Sequence, residues 1–242
     1  MAKIFRMIFV MAILVALVKI SLWVKDIVSE VERFHYNYIL TIYAEADGKE
    51  FSGSSVISVT QTFGPAFLGE ANTDGEVPRG QGEAIYIDLG TRDPLIMTWR
   101  RNNCYGIGGM AIRAFAGPLR TRTDWINTAR RLEHLHASAE IAPSELCRFV
   151  TFSNIQDPTS LREIGIKDVP DVIGSGVRIK FAKVEMTDAE ISRNIENKLP
   201  WLKRMKAGQK LDMYWTGRSP PYSELVGKFE YQLDDFIYDV EP

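Results

Sequence analysis

The stretch Met7 to Val24, MIFVMAILVALVKISLWV, limits what this chain can be more than any other feature. It is 18 residues long and carries one charge, Lys19. About 20 such residues, rising about 1.5 Å each as a helix, cross a hydrocarbon core of about 30 Å. The run therefore predicts a membrane-spanning helix, with Met7, Phe9, Leu14 and Leu17 among its lipid-facing residues. Lys3 and Arg6 precede it and supply the positive start of an insertion signal. The residues that follow, Ile20 to Asp26, offer no small-residue pair for cleavage, and no cysteine stands near to accept a lipid. The expectation is a retained signal anchor over residues 1–24. Lys19 lies about one turn inside the far end, where its methylenes can stay in lipid while the ammonium reaches the headgroups. Trp23 falls where an aromatic belt residue belongs. A basic amino terminus held in the cytoplasm places the rest of the chain outside the membrane, although Lys19 and Lys25 on the far flank nearly balance that bias.

Val24, Ile27, Val28, Val31 and Phe34 recur at three- and four-residue steps, with Lys25, Asp26, Glu30, Glu32 and Arg33 between them. This amphipathic pattern predicts a short helical stalk over residues 25–34. Its apolar stripe can pack on its own domain or pair with a second copy in a homodimer.

Residues 35–242 then read as one α+β domain. Hydrophobic content of 45% and charged content of 25% are ordinary globular values. A net charge of −2 and a pI near 6.0 provide no long-range pull towards nucleic acid. Tyr36 to Tyr43 alternates as a strand, Asp47-Gly48 signals a tight turn, and Ser52 to Thr62 returns, which predicts a hairpin. Gly64 to Gly82 holds five glycines and two prolines and reads as a long surface loop. Glu83 to Leu89 and Pro94 to Arg100 form a second strand pair. Gly106, Gly108 and Gly109 are expected to break the chain before a strand over Met110 to Phe115.

The second half mixes helices and strands. A helix is expected from Thr123 to about Ala137, with Trp125, Ala129, Leu132 and His136 on one face. Leu146 to Phe152 and Val177 to Glu185 read as strands, the latter with Val177, Ile179 and Phe181 inward. Thr187-Asp188-Ala189-Glu190 has the spacing of a capping box and predicts a helix through Ile191, Ile195 and Leu199 that Pro200 ends. Trp201 and Leu202 are expected to plug the core. Lys228 to Tyr238 alternates as a last strand. Strand runs followed by helices, without regular βαβ units, predict a mainly antiparallel sheet with two or three helices.

Cys147-Arg148-Phe149-Val150-Thr151-Phe152-Ser153-Asn154-Ile155-Gln156-Asp157-Pro158-Thr159-Ser160, Gly176-Val177-Arg178 and Ile195 to Leu202 follow an "LVTF-x-D-I-N-D-P-x-S … G-V-x-L … I-x-x-x-LPWL" pattern. In this the chain resembles a group of uncharacterised bacterial envelope-type proteins, over about residues 36 to 205. Gly53-Ser54-Ser55-Val56 and Gly82-Glu83-Ala84 extend the likeness into the first half. Asn154 departs from it, where the pattern carries an acid. The resemblance implies a bacterial, periplasmic domain and lends no catalytic residue.

Candidate chemistry is sparse. His134 and His136 are two residues apart and point away from each other on a helix, so with His35 they make no metal pair. Gly106-Ile107-Gly108-Gly109 lacks the spacing of a nucleotide loop. No serine sits in a nucleophile elbow. No cofactor is implied. Cys104 and Cys147 can form one bridge in an oxidising compartment or remain two thiols. Arg120, Arg122, Arg130 and Arg131 form the most basic stretch, fit either for an anionic partner or for a solvated face with local ion pairs. These features point to a single-pass, membrane-anchored binding or scaffolding protein of the cell envelope, in contact with the lipid bilayer and a protein partner. The alternative is a membrane-tethered hydrolase drawing on the Gly64–Gly82 loop and the His134/His136 region.

Overall fold

Period-two burial writes the first strand. Phe34, Tyr36, Tyr38, Leu40, Ile42, Ala44 and Ala46 are buried, and the residues between them are not, over β1, Glu32–Ala46. The expected helical stalk over 25–34 thus gives way to strand at Glu32. Burying the alternating aromatic and aliphatic series from Phe34 onward outweighs a stripe of only three helical turns. The computed structural model describes residues 13–21, 31–64, 76–99, 104, 106–117, 119, 121–205, 210–212, 214–215, 230–232 and 236–239, so most of the stalk lies outside the described residues. The chain divides into two units, Met1–Arg33 with Gln61–Val77, and Phe34–Thr60 with Pro78–Pro242. The first holds the helical residues 13–21 and one end each of the three strands at residues 32–33, 61–63 and 76–77; most of both sheets belongs to the second.

Asp47 and Gly48, both at positive φ (51° and 75°), turn β1 into β2, Lys49–Phe63. The later strands are β3 (Glu76–Glu83), β4 (Ile85–Ile87), β5 (Leu95–Met97), β6 (Ser138–Ile141), β7 (Phe149–Phe152), β8 (Leu161–Ile164) and β9 (Arg178–Thr187). Four short ones close the chain: β10 (Lys210–Asp212), β11 (Tyr214–Trp215), β12 (Glu230–Gln232) and β13 (Ile237–Asp239). A six-stranded sheet runs in the order β13-β3-β2-β1-β9-β6 and a five-stranded sheet in the order β11-β8-β7-β5-β4, while β10 pairs with β12. The molecule is α+β with two mainly antiparallel sheets. The glycine-rich stretch expected as a loop through Gly82 is strand from Glu76 onward.

The chain changes sheets at Ala84, between β3 and β4. There the first half of β2 passes against the second sheet, and Gly53 permits the approach. A Cβ at position 53 would collide with the Tyr86 carbonyl oxygen. The freed edge of β2 is filled by Ser192, whose hydroxyl accepts the Val56 N–H at 2.8 Å while its own N–H donates to the Val56 carbonyl at 3.3 Å.

A bulge alters the inward set of β9. Tyr43 pairs with Phe181 and the next residue, Ala44, with Ile179, so Lys180 is the extra residue. Ile179 is buried before it and Ala182, Val184 and Met186 after it. Phe181, expected inward, instead stacks on Tyr43 at 4.6 Å on the opposite face.

Two helices differ from expectation. The glycines at 106, 108 and 109 do not break the chain. They open α1, Gly106–Ala116, in place of the strand expected over Met110 to Phe115. Residues 106–112 are all buried, and small residues suit a helix enclosed on every side. Tyr38 donates its hydroxyl to the Ile107 carbonyl at 2.7 Å and Tyr36 to the Gly108 carbonyl at 3.2 Å. The box at Thr187 starts no helix. Its hydroxyl accepts the Ala189 N–H at 3.1 Å in a local turn, and α4 begins at Ile195 and ends at Lys198. The box that does form is Thr121 with Asp124, at the head of α2, Arg122–Leu132. The remaining short helix, α3, is Val169–Val172.

The core has two parts, one on each face of the five-stranded sheet. Ile85, Ile87, Leu95, Met97 and Phe149 join β1, β9 and α1 in the larger cluster. Ile96, Val150, Phe152 and Leu161 face the other way, towards Ile195, Leu199, Trp201, Leu202 and Phe236. Burial on both faces is why β5 is apolar throughout and β7 is buried at every residue, Thr151 included. Trp201 plugs the second cluster as expected, with Phe152 and Phe236 each 5.5 Å away.

Candidate functional site

Residues 13–21 are helical and every one is exposed, with Ile13, Leu14, Val15, Leu17, Val18 and Ile20 at 45–58%. Leu14, Leu17 and Lys19 of the expected anchor belong to this stretch. Met7, Phe9 and Trp23 lie outside the described residues. No helix among the described residues is long and apolar enough to cross a membrane.

Cys104 and Cys147 are joined in a disulfide, with Cα atoms 4.9 Å apart. The bridge ties the chain two residues before α1 to the chain two residues before β7. Cys147 is 2% exposed, whereas Cys104 is half-buried against the larger core cluster. A thiolate at position 104 is therefore not at hand for nucleophilic chemistry in this state.

Arg130 and Arg131 of the basic stretch are exposed and make local contacts. Arg130 lies 5.5 Å over the Phe34 ring and donates to Asn127 Oδ1 at 3.3 Å. Arg131 donates to the Phe115 carbonyl at 2.8 Å, at the carboxyl end of α1, where a cation complements the helix dipole. Arg122 is half-buried at the head of α2, and Arg120 lies outside the described residues.

Among the described residues of the second unit, two clefts stand out. One, of about 160 Å³, lies at the start of β1 and brings together His35, Asn37, Glu133, His136 and Asp188. Pairing of β1 with β9 and the turn after α2 place them there, so His136 and His35 line one cleft. Glu133 Oε1 accepts the His35 N–H at 2.8 Å, and His35 Nδ1 lies 3.2 Å from Thr60 Oγ1. Asn37 donates to the Ala189 carbonyl at 3.0 Å. The lining contains no serine or cysteine beside either imidazole. The other cleft, of about 130 Å³, lies where the sheets diverge, between Glu83, Ser192, Arg193 and Ile237. Glu83 is 6% exposed, and its Oε2 accepts the N–H groups of Asn194 (2.6 Å) and Ile195 (2.7 Å). Both clefts are smaller than the 300 Å³ or so at which sites for organic ligands begin. They have room for a side chain or a few waters.

Sequence reasoning missed Glu83 as a capping group and the shared cleft of His35 and His136, because both depend on pairing over long separations. Asp157, in the turn of the LVTF-type motif, has its pKa lowered by bonds from the Thr159 hydroxyl and N–H. The Tyr38 phenol is raised well above its usual value, first by burial and then by Tyr36. No group of three or more His, Cys, Asp or Glu among the described residues could hold a metal ion. No family model, curated protein or solved structure matches the chain.

Proposed function

We propose that this chain is a single-pass membrane-anchored protein that carries its α+β domain on the oxidising side of a bacterial cytoplasmic membrane, where the domain binds or scaffolds another envelope component. The observation that carries the reading is the apolar helix at residues 13–21, bare on every side. In water such a surface is costly, at about 25 cal/mol per Å² of apolar area. In lipid it is at home, and the helix satisfies its own backbone. The flanking sequence from Met7 to Val24 extends the same character. A bridge between Cys104 and Cys147 favours an extracytoplasmic domain, since thiols in a reducing cytosol stay free. Binding is preferred to catalysis because the two clefts among the described residues are small and their linings set no serine or cysteine beside a histidine.

Alkaline carbonate extraction of membranes tests the anchor, and protease treatment of spheroplasts tests the side. The expected result is a chain retained in the membrane pellet and digested from outside. Full release into the supernatant, or protection of the domain in intact spheroplasts, refutes it.

A further inference from the structure

The two sulfurs of the bridge are not equivalent. Cys147 is buried at 2% exposure beside β7, while Cys104 is half-buried at the entry to α1. The 43-residue separation between them contains α1, α2 and β6, so the bond closes a loop that holds both eleven-residue helices. The helix next to it is weak by composition. Three of its first four residues are glycine, and Gly106 sits at a φ of 65°. What holds its first turn is burial, the two tyrosine hydroxyls and the covalent tie.

We propose that Cys104 is the exchange-reactive sulfur, through which a protein or small-molecule disulfide closes the domain, and that Cys147 is the resolving thiol. In the reduced chain the Cys104 thiolate attacks the donor's disulfide, forming a mixed disulfide and releasing one donor thiolate. The Cys147 thiolate then attacks Cys104 Sγ, the native bond forms, and the second donor sulfur leaves. The two cysteines lose two electrons and two protons, and the donor is reduced to its dithiol. The order follows from access: an incoming sulfur reaches position 104 and not position 147 while the sheets are in place. The supply of a disulfide donor rests on the extracytoplasmic reading above. The order of reaction does not.

The test uses the full chain in detergent, reduced and then freed of reductant. A short pulse of iodoacetamide, read by peptide mass, is expected to label Cys104 at least about ten-fold faster than Cys147, with the difference vanishing in denaturant. Single variants supply the second measurement. With dithiobis(nitrobenzoate) as the disulfide, Cys147→Ala is expected to form a mixed disulfide quickly and Cys104→Ala slowly. Faster labelling of Cys147 overturns the proposal. So do equal rates, whether both thiols are open or the reduced chain has lost its fold. A chain that carbonate extracts would end the tether reading and leave the measured order standing.

Discussion

Glu83 is a buried carboxylate that does the work of a helix cap from the other side of the domain, and its removal should be felt. In Glu83→Ala the N–H of Ile195, a buried residue, loses a charge-assisted bond and has no substitute, at about 1.5–3 kcal/mol. Asn194 is exposed, so water can take over its N–H, and its share is about 1 kcal/mol or less. A lost buried methylene adds about 0.8 kcal/mol. The sum is about 2–5 kcal/mol, a large part of the 5–15 kcal/mol typical of a whole domain. Glu83→Gln keeps an oxygen with two lone pairs but no charge. Neutral bonds are about half as strong, so the loss should fall to about 1–2 kcal/mol.

Urea unfolding of the three chains, followed by tryptophan fluorescence, gives the differences from midpoints at unchanged slope. Trp201 lies in the cluster that α4 covers, which makes it a local reporter. Native-state hydrogen exchange at the Ile195 amide should quicken in step. A Glu83→Ala chain within about 0.5 kcal/mol of the parent would refute the account, because it would mean that the bonds to Asn194 and Ile195 are replaced at no cost. A Gln variant as damaged as the Ala variant would refute the bond-by-bond reckoning in a different way, by showing that charge alone matters.

Other positions give independent checks. Arg148 pairs with Glu163 at 3.2 Å, and Glu163 is fully buried, so Arg148→Met should cost about 3–5 kcal/mol in urea unfolding, with much of it recovered by adding Glu163→Gln. Tyr38→Phe leaves the Ile107 carbonyl without its buried donor and should cost about 1–2 kcal/mol, read as a lower melting temperature and faster amide exchange in α1. Asp157 has a folded pKa below its ordinary 3.8, so its contribution is present above that value and is lost as pH falls through the lower folded value. The chemical shift and exchange rate of the Thr159 amide should report that loss below pH 3.8, and Asp157→Asn should abolish the pH dependence.

The strands were the most legible part of the chain, because alternation is a local and exact consequence of the pleat. Tyr36, Tyr38, Leu40 and Ile42 announced the inner face of β1, and Asp47-Gly48 announced the turn that follows it. Legibility failed where a neighbour distant in sequence altered a local rule. The bulge at Lys180 reversed the alternation of β9, so Phe181 left the core. The glycines of α1 read as breakers because their propensity is poor. Burial of residues 106–112 and the hydroxyls of Tyr36 and Tyr38 on β1 overrode it, since a helix turn enclosed this fully needs small residues more than it needs strong helix formers.

The capping signals make the same point about the sites. Thr187-x-x-Glu190 and Thr121-x-x-Asp124 are alike as local patterns, and only the second caps a helix. The difference lies in what the chain meets next. After Thr187 the backbone is drawn along the freed edge of β2 by Ser192, and its N–H groups at 194 and 195 find the carboxylate of Glu83, so a helix beginning at 188 would forfeit those long-range bonds. A capping box is worth about 1 kcal/mol, and the bonds that displaced it are charge-assisted and partly buried. The same reasoning explains why the chemistry of this chain is hard to read from its letters. His35 and His136 stand 101 positions apart and line one cleft only because β1, β9 and the end of α2 converge. The expected anchor is the opposite case: the apolar signal of Met7 to Val24 is a plain sum over consecutive residues and owes nothing to partners far along the chain, so it can be read from the letters alone.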